Sequence, residues 1–291
     1  MYIILCMINN KYINVFKNNP YTIQKNNDKV IVFDLDETLG SFTDLEIIWN
    51  TILLFNNKQL NTEHNFYYLL DLFHEFTRYG IVNILDYVYQ KKLSKECFKI
   101  FLYTNNQSSK RWVNMICNYF SFKLNIIKPN ILFDQIIYAF KINNKVVEHL
   151  RTSHKKKHSD FIKCTLMPNN TEICFIDNTY FNDMNNKRVY YIQPLSYQHN
   201  LHIKDIVSRL FNSDFNKYIP NTDTNRLIFY NNLSSNRYDY NEGSFNKLLD
   251  TNIIVSQKIM YYIKDFFLIT NKKNKTKKNI YSLNKYTRRK K

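Results

Sequence analysis

The stretch that most constrains this chain is residues 30–40, VIVFDLDETLG. Val30, Ile31, Val32 and Phe33 form a β-branched and aromatic run behind the polar Asn27-Asp28-Lys29, which is how a strand buried on both faces reads. Asp34 and Asp36 follow at its carboxyl end, then Thr38 and Gly40. Charged carboxylates at the end of a buried strand are costly without a partner, and a divalent cation supplies one. In open α/β sheets ligands bind at these strand ends. If the strand runs on through both aspartates they face opposite ways, so one does chemistry while the other sits on the turn. The plain alternative is an acidic turn after an edge strand.

Other apolar runs alternate with helical periods. Leu45, Ile48, Trp49, Ile52 and Leu53 share a helical face, with Thr43 as the expected N-cap, and Phe66, Leu69, Leu70, Phe73 and Phe76 share another. Strands are expected at 98–103, 172–176 and 188–192, with two weaker ones in 131–147. Helices are expected near 81–92, from Ser108, after the basic turn 150–164, and at 201–211. Strand and helix in alternation predict an α/β fold, with a Rossmann-like parallel sheet, helices on both faces and right-handed crossovers.

Composition narrows the chemistry. With 3 glycines in 291 residues, at Gly40, Gly80 and Gly243, there is neither a P-loop nor a GxGxxG turn. The 5 cysteines form no CxxC pair and several lie in apolar runs, which reads as buried thiols in a reducing compartment. The apolar opening MYIILCMI lacks a basic segment before it and a cleavage site after it. No apolar run reaches the roughly 18 residues of a membrane span. A soluble protein inside the cell, cytoplasmic or nuclear, with no membrane partner, is expected. The net charge of +17 is uneven, because residues 271–291 carry ten Lys or Arg and no acid.

The expected organisation is an N-terminal extension at 1–29, an α/β domain at 30–212, and a linker or loose excursion at 213–250. An amphipathic helix at 251–270 docks on the core through Ile259, Tyr262, Ile263, Phe266 and Phe267, and a basic tail at 271–291 ends the chain. The tail's Lys, Arg and Tyr suit nucleic acid or an acidic partner, and TRRKK suits a nuclear address; a solvated end is the plainer reading.

The hydrophobic strand followed by Asp-Leu-Asp-Glu-Thr-Leu resembles the first motif of the haloacid dehalogenase-like (HAD) hydrolases. Glu37 narrows the likeness to the NLI-interacting-factor-like branch, which contains the RNA polymerase carboxy-terminal-domain phosphatases. The resemblance covers residues 30 to about 210 and implies a HAD-like sheet with a small helical insert after the first strand. It implies a Mg²⁺-dependent phosphatase working through an aspartyl-phosphate on a phosphorylated macromolecule, chiefly phosphoserine or phosphothreonine in protein. Asp34 is then the nucleophile and Asp36 the acid and base. Thr104 and a lysine bind and balance the phosphoryl group, and Asp34, Asp36 (through its carbonyl), Asp177 and Asn178 surround the metal.

The match is uneven. Asn105-Asn106 stands where that branch has Ala-Ser, Tyr79 replaces a proline in its Arg-Pro-Gly triplet, and Arg151 matches the arginine before its third motif. Among Lys155, Lys156 and Lys157, Lys157 is taken as the working lysine because it stands just ahead of Ser159, a candidate N-cap; Asn105, Arg151 and Lys156 are assigned to substrate. Two other readings stay open: a nucleic-acid end phosphatase, and a weakly active scaffold that uses its basic tail.

Overall fold

The computed structural model describes residues 5–18, 28–55, 62–235 and 249–268. Its centre is a seven-stranded sheet in the order β1-β2-β9-β8-β3-β4-β5. These strands are β1 (Leu5–Asn10), β2 (Ile13–Asn18), β3 (Lys29–Phe33), β4 (Lys99–Tyr103), β5 (Gln135–Ile137), β8 (Glu172–Ile176) and β9 (Val189–Pro194). β9, β8, β3, β4 and β5 run parallel, and β2 and β1 add antiparallel at the edge. A small ribbon of β6 (Lys141–Ile142) and β7 (Lys145–Val146) lies apart.

Side-chain alternation divides the core in two. Ile31, Phe33, Ile100, Leu102, Cys174, Ile176, Tyr190 and Ile192 pack into the larger cluster. Val30, Val32, Phe101, Tyr103, Ile173, Phe175, Val189 and Tyr191 face the smaller one. Both faces of the central strands are therefore dry, as their unbroken apolar sequences require. On the larger side lie α1 (Thr43–Phe55), α2 (Glu63–Leu72), α3 (Ile81–Leu93), α4 (Lys110–Lys123) and α6 (Ile203–Phe211). The other side is covered by the short α5 (His158–Thr165) through Phe161 and Cys164. The α/β architecture is thus the expected one. Strand order reverses at β3, which has β8 on one side and β4 on the other, so their carboxyl ends share one rim.

Three expectations are corrected. Residues 1–29 are not merely an appendage, because Ile13, Asn14 and Val15 of β2 pair with Pro194, Gln193 and Ile192 of β9. Residues 213–250 are not a loose linker throughout. A 3₁₀ turn at Asp214–Lys217 leads to helix α7, Asp223–Ser234, capped by Thr222 and anchored by buried Phe229 and Leu233. Phe229 stacks on Phe55 at 5.8 Å and meets Phe211 edge-on at 5.5 Å. Finally, helix α4 is capped by Ser109, whose hydroxyl accepts from the Trp112 N–H, while Ser108 donates to Glu46 instead.

The last helix, α8 (residues 249–268), docks through Ile259, Tyr262, Ile263, Phe266 and Phe267, all buried in the larger cluster. Its Asp265 accepts from Tyr190 of β9 and pairs with Lys17 of β2, tying α8 to these two strands. Among the described residues no helix is long and apolar enough to cross a membrane. The tail at 271–291 lies outside the described residues.

Candidate active site

The site is built on the turn that leaves β3. Asp34 still belongs to the sheet, its N–H donating to the Ile176 carbonyl at 2.9 Å. The chain then folds back, with Leu39 N–H on the Leu35 carbonyl and Glu37 in the left-handed region at φ 58°. Gly40 is required here: a Cβ would lie 2.4 Å from both the Phe42 ring and the Phe76 carbonyl. Arg78 clamps the turn from beneath. It is 1% exposed and donates to the carbonyls of Thr38 (2.6 Å), Glu37 (2.5 Å) and Leu195 (2.8 Å). Only a fork of N–H groups reaches several carbonyls at once.

Three charged groups from distant segments meet above β3 and β8. Lys156 Nζ donates to Asp34 Oδ1 at 2.5 Å and to Asp177 Oδ2 at 2.6 Å, and all three are buried. Asp177 Oδ1 accepts from the Thr179 N–H at 2.8 Å. The rings of Tyr103, Phe175 and Phe181 surround the ammonium at 5.6, 5.8 and 5.6 Å. Thr38 joins the two acidic loops: its hydroxyl donates to Asn178 Oδ1 at 3.0 Å and accepts from the Asn178 N–H at 3.1 Å, with Asp34 Oδ2 3.5 Å away.

Asp36 faces the 104–106 loop. Its Oδ2 accepts from Asn106 Nδ2 at 2.9 Å, and Asn106 N–H donates to the hydroxyl of fully buried Thr104. Asn106 therefore does something in this chain that its reading as a departure from a family pattern missed. Burial, and then the charge of Asp34, push the Asp36 carboxyl up to about 7. Burial also raises Asp177 despite Lys156, with Asp34 adding to the rise.

Several assignments change. Lys157 is not the lysine at the centre. It is the N-cap of α5 in an extended conformation, with its Nζ on Thr152 Oγ1, while Lys156 bonds Asp34 and Asp177. Lys156, assigned to substrate, is the central ammonium. Arg151, assigned to substrate, is engaged within the protein: its buried guanidinium donates to the carbonyls of Thr104, Tyr138 and His154 and to Asn105 Oδ1, and lies 4.8 Å from the Tyr103 ring. It shapes the 104–105 loop, and Asn105 is held by it. Asn178, assigned to the metal, has its amide bonded to Thr38, Glu37 and Ser196. Adjacent lysines cannot be told apart by charge. Only the start of α5 at His158 decides which one turns inward.

The donor set suits a hard cation. Asp34, Asp36 and Asp177 bring three carboxyl groups against one ammonium, and the values of Asp36 and Asp177 are raised first by burial, with the charge of Asp34 adding to the rise. Among the described residues no three His, Cys, Asp or Glu side chains are grouped as a metal set. A cation here would be held by Asp34 and Asp177 with a backbone carbonyl and water, the ligand mixture that Mg²⁺ accepts. Comparison with protein-family models, with curated proteins and with solved structures returns no match for this chain.

Proposed function

We propose that this chain is a HAD-like phosphatase that hydrolyses phosphate monoesters through an aspartyl-phosphate on Asp34. The observation that supports the reading is the single buried ammonium of Lys156 shared by Asp34 and Asp177. A carboxylate attacking a phosphate dianion meets repulsion, so the rim needs fixed positive charge aimed at the transferring group. An ammonium has three N–H bonds. Lys156 spends two on carboxylates, which leaves the third for a phosphoryl oxygen.

Asp34 Oδ attacks phosphorus, forming the acyl phosphate as the P–O bond to the leaving alkoxide breaks. Asp36, whose carboxyl titrates near 7, gives its proton to that oxygen and afterwards takes one from the water that attacks phosphorus. Thr104 orders the 104–106 loop that presents Asn106 to Asp36. Mg²⁺ held by Asp34, Asp177 and the Asp36 carbonyl would neutralise charge on the phosphoryl oxygens.

The substrate is a phosphoserine or phosphothreonine in protein, in the cytoplasm or nucleus. Cys97, Cys117, Cys164 and Cys174 are free and buried, as suits a reducing compartment. The test is phosphate release from an aryl phosphate with Mg²⁺. Wild type turns over and Asp34→Asn does not; equal rates in the two would end the proposal.

A further inference from the structure

Two clefts flank the Asp177–Phe181 loop. One, of about 450 Å³, is lined by Lys155, Lys156, Tyr180 and Phe181. The other, of about 340 Å³, is lined by Lys11, Asn14, Asn178, Gln193 and Ser196. Since Lys156 borders the first and Asn178 the second, the phosphoryl centre lies between them. The second cleft owes one wall to the N-terminal hairpin, because the pairing of Asn14 with Gln193 brings β2 to the rim at the carboxyl end of β9.

The chemistry of that wall is specific. Asn14 Nδ2 donates to Gln193 Oε1, Gln193 Nε2 to the Asn178 carbonyl, and Asn178 Nδ2 to Ser196 Oγ. The chain of donors ends in an acceptor, since Asn14 Oδ1 is buried with no hydrogen-bond partner. An unmet buried acceptor is costly and calls for an N–H from outside. Lys11, exposed on the hairpin turn, adds a cation at the mouth. We propose that the hairpin forms a peptide-binding cleft beside the phosphoryl centre, in which Asn14 takes a backbone N–H and Lys11 an acidic neighbour of the phosphorylated residue. An extended peptide offers an N–H at every residue, whereas a sugar–phosphate backbone offers none. This rests on the phosphatase reading and deepens it by assigning substrate preference to residues outside the catalytic centre.

The test uses the full chain and two fluorescent phosphoserine peptides, one with Asp and Glu beside the phosphoserine and one with Asn and Gln. Binding is read by polarisation in an Asp34→Asn background, and aryl phosphate turnover in the Asp34 protein. Lys11→Gln should weaken the acidic peptide about fivefold, the upper end for an exposed ion pair, and leave the neutral one alone. Asn14→Leu should weaken both peptides by about fivefold. Aryl phosphate turnover should be unchanged in Lys11→Gln. A Lys11→Gln effect that is absent, or equal for the two peptides, overturns the proposal. So does a 3′-phosphorylated oligonucleotide that binds as tightly as the acidic peptide with the same dependence on Lys11. Absence of aryl phosphate turnover in the wild type would defeat the phosphatase reading by itself, and the binding series would still decide the cleft.

Discussion

Replacing Lys156 by Met removes one ammonium and keeps the side-chain length. In the native protein that group is 2% exposed at its side chain and bonds two carboxylates, on Asp34 and Asp177. Breaking a buried ion pair by deleting one partner costs about 3–5 kcal/mol, because the other charge stays buried and alone. Here two carboxylates are left facing each other, so the upper end, about 5 kcal/mol, is expected above neutral pH. Against a total stability of roughly 5–15 kcal/mol this is a large fraction.

The penalty has a definite pH dependence. Without the ammonium the folded-state value of Asp177, already raised by burial, rises further, so the folded variant holds a proton that the folded wild type has released. Its deficit relative to wild type is full above the variant's folded value and shrinks as pH falls towards the wild-type value of about 7. Millimolar Mg²⁺ should recover part of it by supplying the missing positive charge. Urea unfolding at about pH 7.5 and about pH 5, with and without Mg²⁺, reads all of this. Lys155→Met and Lys157→Met serve as controls and should fall within about 0.5 kcal/mol of wild type. A Lys156→Met deficit below about 1 kcal/mol, or one that does not change with pH, would refute the reasoning, as would an equal deficit in Lys157→Met.

Arg78→Met leaves the carbonyls of Glu37, Thr38 and Leu195 without donors, and should cost about 3 kcal/mol in urea unfolding while lowering kcat through a misplaced Asp34–Gly40 turn. Arg78→Lys should not rescue it, because a point donor cannot span the carbonyls the fork holds. Asp36→Asn should lower kcat by about 10²–10⁴-fold, measured on an aryl phosphate, if Asp36 moves the proton. Because the folded Asp36 carboxyl sits near 7, above its unfolded value, native stability should fall as pH rises from about 4 to 7 in chelator-treated protein. Asp36→Asn should flatten that slope in a series of thermal melts.

Much of this was visible in the sequence for one physical reason: strands buried on both faces must be apolar throughout. β3 (KVIVF), β4 (KIFLY) and β8 (EICFI) announce themselves in that way, and the residues ending each of them, Asp34, Thr104 and Asp177, could be named. Elements buried on one side only were harder. β2 (INVFKN) carries Ile13, Val15 and Phe16 among polar residues, so its place in the sheet depends on a partner, β9, far along the chain. Helix α7 is Asn-rich and anchored by Phe229 and Leu233, too few apolar side chains to stand out from a linker. Lysine choice and the role of Arg151 were illegible for another reason. Both turn on which way a side chain leaves the backbone at the start of α5 and around Tyr103, which depends on tertiary packing.

The central claim is that Asp34 carries the phosphoryl group, and the most direct measurement is to catch it there. Enzyme quenched in acid during turnover of an aryl phosphate with Mg²⁺ is reduced with borohydride, which converts an acyl phosphate to an alcohol. Mass spectrometry of the peptide containing residues 30–40 then reads the product. The account predicts homoserine at position 34, and none when the substrate is omitted. An unmodified Asp34 in enzyme that is visibly turning over, or reduction at another carboxylate, would contradict it.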